Sequence, residues 1–511
     1  MHRKIAFLLL AFFFSFYLNI SAQVTIGSNE LPNKGALLDL KQENSSEANS
    51  KLGLLLPRVL LKKLTITGSD TSLATTITNA VGDWDKDEHT GLLIYNISES
   101  NSCTGAPPKG VYSWDSQQWV DLWSEKLIRP SLGNGTDDYE GANTYIVLQG
   151  NSVDIPVKRA FDIWNDYNGS DITTGKVLNN SIFPNFNTPA GNMSVSVVWE
   201  ECEDRTTTSG SIVSSIGLKN ASSGSGTNDY ISITVGNTHT GNALIALMVD
   251  GLVIWQWQIW VPIDDPTVKA YGYDTGLASY WFMDRYLGAI STEKHQWDGA
   301  LDGTGGTPTY RNAHGMFYQW GRPTPMKKFG LAVPDYIPVI GDEAGNLHKA
   351  LQTPLFIRSD ITSVGNTNTE DWYSNTFQTW KTRWGDGTTD DKSKKTAFDP
   401  CPKGWRVPIW KNGGSPWKCL EKPSTTNYTG DGGYDFTDLT RVLGYFPANG
   451  YRVRNTGVLY DVSNFGTVWT GTPSSLGGTG GHRLFFNSSQ PFPESEHSYA
   501  NGLAVRCVQD N

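Results

Sequence analysis

Asn242-Ala243-Leu244-Ile245-Ala246-Leu247-Met248-Val249, Asp250-Gly251, then Leu252-Val253-Ile254-Trp255-Gln256-Trp257-Gln258-Ile259-Trp260-Val261 is the stretch that decides the fold. Two apolar runs flank an Asp-Gly pair, which suits a type I′ turn because both central residues there need positive φ. A period of two places Trp255, Trp257, Ile259 and Val261 on one face and Gln256 and Gln258 on the other. A tryptophan stripe of this kind could be a sugar platform. A half-buried strand of a sandwich accounts for it without function, and that is the reading adopted.

Working outward, residues 128–265 read as a β-sandwich-like, immunoglobulin-like block. Tyr145–Leu148 and Met193–Trp199 have strand composition, separated by Gly, Ser and Asn clusters. Pro262, Asp264, Asp265 and Pro266 mark its end. Residues 23–127 form an earlier β-rich module, with short apolar runs at Gly35–Leu40, Gly53–Arg58 and Gly91–Asn96. Its closing hairpin has aromatics on both arms, Tyr112 and Trp114 against Trp119. Residues 266–511 are different, with long Gly/Thr/Asn loops and few regular runs. The expected fold is multidomain and mainly β, ending in an α+β region with long loops.

Composition agrees. The chain has 511 residues, 19 Trp, 53 Gly and 25 Pro, with 18% charged residues against the roughly 25% of an ordinary domain. Such usage interrupts helices and supplies turns, while the aromatics argue against disorder. The net charge of −10 with no basic run argues against nucleic acid as a partner. Residues 1–22 carry Arg3 and Lys4, an apolar run from Ile5 to Leu18, and Ser21-Ala22, the pattern of a cleaved secretory signal. No later apolar stretch is long enough to span a bilayer. The protein is therefore expected to be exported, to the cell surface, the medium or the periplasm, with no transmembrane segment after cleavage.

Two resemblances follow from motifs. In residues 23–127, Val24-Thr25-Ile26-Gly27, Gly35–Leu40, Gly53–Arg58, Thr90–Asn96 and Tyr112–Val120 resemble an N-terminal module of exported Bacteroidetes proteins. Similar elements occur in phage-tail-like and stalk-like surface proteins, so the resemblance implies a structural module. In the terminal region, Met283–Ala289, Tyr318-Gln319-Trp320-Gly321-Arg322, Asp399–Pro408 and Val505–Val508 resemble the Fibrobacter succinogenes major paralogous domain. Tyr286 stands where asparagine is usual, a change expected to alter a local side-chain hydrogen bond. That group is related in fold to C-type-lectin-like and formylglycine-generating-enzyme-like domains, which implies a small twisted sheet, one or two helices and long loops. It also implies a disulfide between Cys401 and Cys507; the pairing of Cys103, Cys202 and Cys419 stays open.

Sites are sparse. Asp83-Trp84-Asp85-Lys86-Asp87-Glu88 begins like a calcium loop, but Glu88 and Ile94 occupy the positions needing Gly and a bidentate Glu. Asp386, Asp390 and Asp391 lie in an acidic Gly-rich loop that could hold Ca²⁺, although Asp and Gly suit turns without metal. No other cofactor is expected. The reactive cysteine pair and G-N-V-W-E-W of formylglycine-type enzymes are missing, as are hydrolase and phosphate-binding motifs. Trp297, Trp372, Trp380 and Trp384, set among Asn, Asp and Thr, are the candidate ligand contacts, with core use as the plainer alternative. The expectation is a non-enzymatic surface or periplasmic binding protein recognising a glycan or a surface protein through its terminal region. A structural envelope or fimbria-associated subunit is the alternative, and a formylglycine-type or hydrolytic enzyme ranks below both.

Overall fold

The computed structural model describes residues 24–26, 29, 38–43, 50–51, 54–63, 66, 71–97, 109–122, 142–166, 189, 192–203, 210–220, 226–268, 270–274, 279–292, 312–328, 337–340, 347–359, 372, 383–384, 395–411, 414–420, 428–429, 432–438, 441–474 and 480–510. The leader expected at residues 1–22 lies outside them. The fold is mainly β, built from several separate sheets.

At the N-terminal end, β1 (Val24–Ile26) and β2 (Leu38–Leu40) form a two-stranded parallel sheet, with Val24 opposite Leu38 and Ile26 opposite Leu40. A four-stranded sheet follows in the order β3 (Arg58–Val59), β4 (Leu93–Asn96), β5 (Gly110–Trp114), β6 (Trp119–Asp121). The aromatic hairpin is present, with Trp114 paired to Trp119. Its turn is held by Asp115, whose Oδ1 accepts the N–H groups of Gln117 and Gln118 at 2.8 and 2.7 Å. Trp114 and Trp119 pack edge-on beneath it with Leu73, Ile94 and Tyr112.

The middle block contains β7 (Thr144–Ile146), β8 (Ser152–Pro156), helix α1 (Lys158–Asp166), β9 (Met193–Cys202), β10 (Val213–Lys219), β11 (Tyr230–Val235), β12 (Gly241–Val249) and β13 (Leu252–Val261). One sheet has the order β7-β13-β12-β9, the other β10-β11-β8, and the two share a core. The β12–β13 hairpin turns at Asp250 (φ 52°) and Gly251 (φ 78°), as the turn chemistry requires. A bulge follows, where the register shifts between Leu247 and Met248.

The expectation of a half-buried strand is corrected here. β13 is buried on both faces: Trp255 and Trp257 are enclosed, and so are Gln256 and Gln258. The reason is the terminal region, which covers the block. One continuous cluster holds Ile155, Ile233, Leu244 and Trp255 from the middle together with Met316, Tyr318, Trp320, Phe398 and Val505 from beyond residue 266. Polar atoms cross the same boundary. Asn143 donates to the carbonyls of Ala397 (2.7 Å) and Asp399 (2.8 Å), and Asn242 donates to that of Gly288 (2.8 Å). Gln256 donates to the Leu351 carbonyl at 2.8 Å.

Beyond residue 266 the sheets are small. The last strand, Val508–Gln509, lies between Ser279–Met283 and Trp405–Arg406, with Ala270–Asp274 at the edge. Gly466–Pro473, Gly480–Phe486 and Pro491–Ser498 form an antiparallel meander. The short helix α2 (Leu347–Gln352) packs on β13. A second core gathers Phe282, Tyr286, Trp417, Phe436, Phe446 and Phe486. Cys401 and Cys507 form a disulfide with Cα atoms 6.0 Å apart, which ties the segment before the last strand to the Asp399–Pro408 loop.

Candidate functional site

The polar residues of the four terminal-region motifs are the first place to look for chemistry. Most of them are occupied within the fold. Arg285 forms a two-pronged pair with Asp284 (2.7 and 2.8 Å), reaches Asp264 at 2.6 Å and donates to the Ile290 carbonyl at 3.0 Å. Burial pushes the Asp284 carboxyl up, and the adjacent guanidinium opposes that shift. Tyr286 donates to the Pro447 carbonyl at 3.3 Å and packs edge-on against Phe446, an anchoring different from that of a short amide.

The other motifs behave alike. Gln319 and Trp320 donate to the carbonyls of Ala500 (2.7 Å) and Thr470 (2.8 Å), and Arg322 to those of Pro354 and Phe356. Asp399 accepts the N–H groups of Cys401 and Val407, both at 2.8 Å. Lys395 donates to the carbonyls of Cys401, Pro402 and Trp405, and burial lowers its ammonium pKa to about 8. Arg506 donates to the carbonyls of Met283 (2.8 Å) and Leu443 (2.6 Å) and lies 4.0 Å over the Phe446 ring. Some of the accepting carbonyls lie in loops, at Ile290, Pro354, Cys401, Pro402 and Ala500, and others on strand residues such as Met283, Leu443 and Thr470, so these side chains tie loops to the small sheets.

Two of the candidate ligand tryptophans are corrected. Trp372 and Trp384 are buried, not presented to solvent. Trp372 lies between the Arg322 and Arg383 guanidinium groups, at 5.8 and 6.0 Å, and Trp384 packs against Trp320 at 5.5 Å. A ring enclosed this way staples loops together and offers no stacking face. Trp297 and Trp380 lie outside the described residues, as do Asp386, Asp390 and Asp391. In the other acidic stretch, Asp85 accepts the N–H groups of Asp87 (2.7 Å) and Glu88 (3.1 Å), which holds its carboxyl below the usual range. It caps a turn.

A cleft of about 330 Å³ opens where the middle block meets the terminal region. Tyr145, Val147 and Val153 line it, with Ser152, Asp265 and Lys403 as polar groups. The sequence did not bring these residues together, because the cleft's walls come from segments more than 100 residues apart.

The most unusual surface is at the other end. Nine of the sixteen exposed large apolar side chains among the described residues precede residue 123, so apolar exposure is concentrated in the N-terminal module. Ile26 is 57% exposed, Leu40 lies opposite it and Leu38 opposite Val24 on the paired strand, and Leu54 and Leu55 follow, Leu55 at 84%. An isolated pair of strands is marginal in water, and parallel sheets are normally covered on both faces. Among the described residues β1 and β2 pair with no further strand, and the face that carries Ile26, Leu38 and Leu40 is exposed.

That region also carries the match to known proteins. Residues 25–136 match the family described as a phage tail like trimerisation region. No curated protein and no solved structure matches the chain. Among the described residues, no helix is long and apolar enough to cross a membrane.

Proposed function

We propose that this is an exported, non-enzymatic structural protein that assembles as a trimer through its N-terminal module and presents the rest of the chain for recognition. The observation that carries the reading is the uncovered parallel pair β1–β2, with Ile26, Leu38 and Leu40 exposed, inside the span similar to a trimerisation region. These side chains are about half exposed, so covering them with their equivalents from two further copies stabilises by about 0.8–1.5 kcal/mol each. The signal-like leader supports export. The inward use of the motif side chains supports a scaffold role for the terminal region.

Recognition of a glycan or a surface protein is the finer part of the proposal. The cleft beside Tyr145, Asp265 and Lys403 supports it, since it pairs an aromatic wall with a few polar groups. Light scattering on the full mature chain at micromolar concentration is expected to give three times the chain mass. A monomer there overturns the trimer. A glycan array probed with the same material is expected to show binding that Tyr145→Ala weakens; an empty array removes the sugar version and leaves the protein ligand.

A further inference from the structure

Cys202 ends β9, Glu203 follows it, and His239 stands two residues before β12 begins at Gly241. Strand pairing brings these positions together, because Gly241 lies opposite Cys202 in the antiparallel register. The approach is unusually close. A Cβ at Gly241, where φ is +148°, would meet the Glu201 carbonyl oxygen at 2.1 Å and the Cys202 Cα at 2.9 Å. Two clamps fix the adjoining loop. The Glu203 N–H donates to the Thr240 carbonyl at 3.1 Å, and the Thr240 N–H donates to Glu203 Oε2 at 2.8 Å. The other carboxylate oxygen, Oε1, is 3.2 Å from His239 Nδ1.

The result is a sulfur, an oxygen and a nitrogen, all within 4.8 Å of one another. We propose that Cys202, Glu203 and His239 form a three-ligand site for a zinc-class divalent cation, with the fourth position open to water. Tetrahedral zinc with bonds of about 2.0–2.3 Å sets its ligand atoms about 3.3–3.7 Å apart. The Glu203 Oε1–His239 Nδ1 separation of 3.2 Å is already near that range, and the three donor atoms start within 4.8 Å of one another. Thiolate and imidazole are donors for zinc-class metals, whereas calcium and magnesium take oxygen ligands throughout.

Charge and access agree with the donor set. A thiolate, a carboxylate and a neutral imidazole carry two negative charges, which a divalent cation neutralises. Binding replaces the Cys202 S–H bond with a sulfur–metal bond and releases that proton to solvent. Cys202 is buried and holds a thiol, not a disulfide, while the His239 and Glu203 side chains are 26% and 30% exposed. The site therefore has a dry sulfur side and a wet side through which a cation and its remaining water enter. Glu201, the neighbour of Cys202, accepts the Lys328 N–H at 3.2 Å, so the site adjoins the contact with the terminal region.

A plain His239–Glu203 ion pair predicts no role for sulfur, and that separates the two arrangements. The full mature chain, stripped of metal, is titrated with Co²⁺ and then Zn²⁺. One Co²⁺ per chain is expected, with a thiolate-to-cobalt charge-transfer band that Zn²⁺ abolishes and Ca²⁺ does not produce. Cys202→Ala removes the band, and His239→Ala weakens binding on the order of 100-fold. Zn²⁺ is also expected to slow alkylation of Cys202 of the unaltered chain in urea below the unfolding transition, where local opening exposes the buried thiol, read by peptide mass spectrometry, a readout that needs no variant to fold. No band, a band that survives Cys202→Ala, or alkylation of Cys202 unaffected by Zn²⁺ overturns the site.

Discussion

The hydroxyl of Tyr318 donates to the side-chain oxygen of Gln258 across 2.5 Å, in an interior that solvent does not reach. Tyr318 belongs to a terminal-region motif and Gln258 to the middle hairpin, so one hydrogen bond joins the two parts. The same oxygen accepts from Thr144 Oγ1 at 2.9 Å, and the Gln258 amide donates to Asn242 Oδ1 at 2.7 Å. Burial raises the Tyr318 phenol pKa well above its ordinary value, keeping it a donor.

Tyr318→Phe removes that donor and leaves the ring in place. It is expected to destabilise the chain by about 1–2 kcal/mol. Because the core is shared, the middle and terminal parts should melt together before and after the change, as calorimetry would record. Separate transitions for the two parts would contradict the shared core.

The Cys401–Cys507 bridge closes a sequence separation of 106 residues. In the chain-entropy account, a loop of that size stabilises by about 4–5 kcal/mol. Cys401→Ser with Cys507→Ser is expected to lower the denaturation midpoint accordingly, and reductant to lower that of the unaltered protein by at least as much.

Ile26→Asp or Leu38→Asp places a carboxylate on the uncovered parallel pair. Each is expected to raise the midpoint concentration of the proposed trimer by roughly ten- to fifty-fold. A half-exposed side chain forfeits about 0.8–1.5 kcal/mol, three copies forfeit it together, and the midpoint varies as the square root of the three-chain dissociation constant. Leu355→Asp, at an exposed apolar site beyond helix α2, should leave the assembly unchanged. Sedimentation velocity over a dilution series distinguishes the two.

His497 gives the stability a pH dependence on the acid side. Burial, with the Arg483 and Arg454 charges adding to it, lowers its pKa to about 3. The unfolded chain binds the proton from about pH 6.5 downward, while the native state refuses it until about pH 3. The native stability is therefore complete above about pH 6.5 and falls between those limits, by no more than about 1.4 kcal/mol per pH unit from this residue. His497→Gln, which keeps a polar group for Asn501 at 3.1 Å, is expected to flatten that slope in urea titrations.

Trp372→Ala and Trp384→Ala are expected to act on folding. Each removes a buried ring, a loss of about 3–5 kcal/mol. Fluorescence-monitored unfolding should register that loss. A variant of unchanged stability that had lost a ligand would restore these rings to a recognition role.

The β12–β13 hairpin and the aromatic hairpin at Trp114 and Trp119 were legible in the sequence because their signals are local. Asp250-Gly251 dictates its own turn, and Asp115 supplies its own cap. The cover over Gln256 and Gln258 was not legible, since a glutamine in a strand reads the same whether it meets water or a distant carbonyl. The cystine was implied by motif resemblance, and the structure forms it. Trp372 and Trp384 misled because polar neighbours in sequence say nothing of neighbours in space; two arginines and Trp320 surround them. Cys202 and His239 gave no spacing signal at all, because only the register of β9 and β12 joins them.

The bridge between Cys401 and Cys507 also determines how the chain bears tension. A pull applied at the C-terminal end reaches Cys507 after the short last strand and passes through the sulfur atoms directly to Cys401. The intervening segment is excluded from the load path. A fully extended chain of that separation would span about 350–380 Å. An oxidised molecule is therefore shorter by that length when stretched, and a single-molecule pull under reductant would show the difference as one added increment of extension.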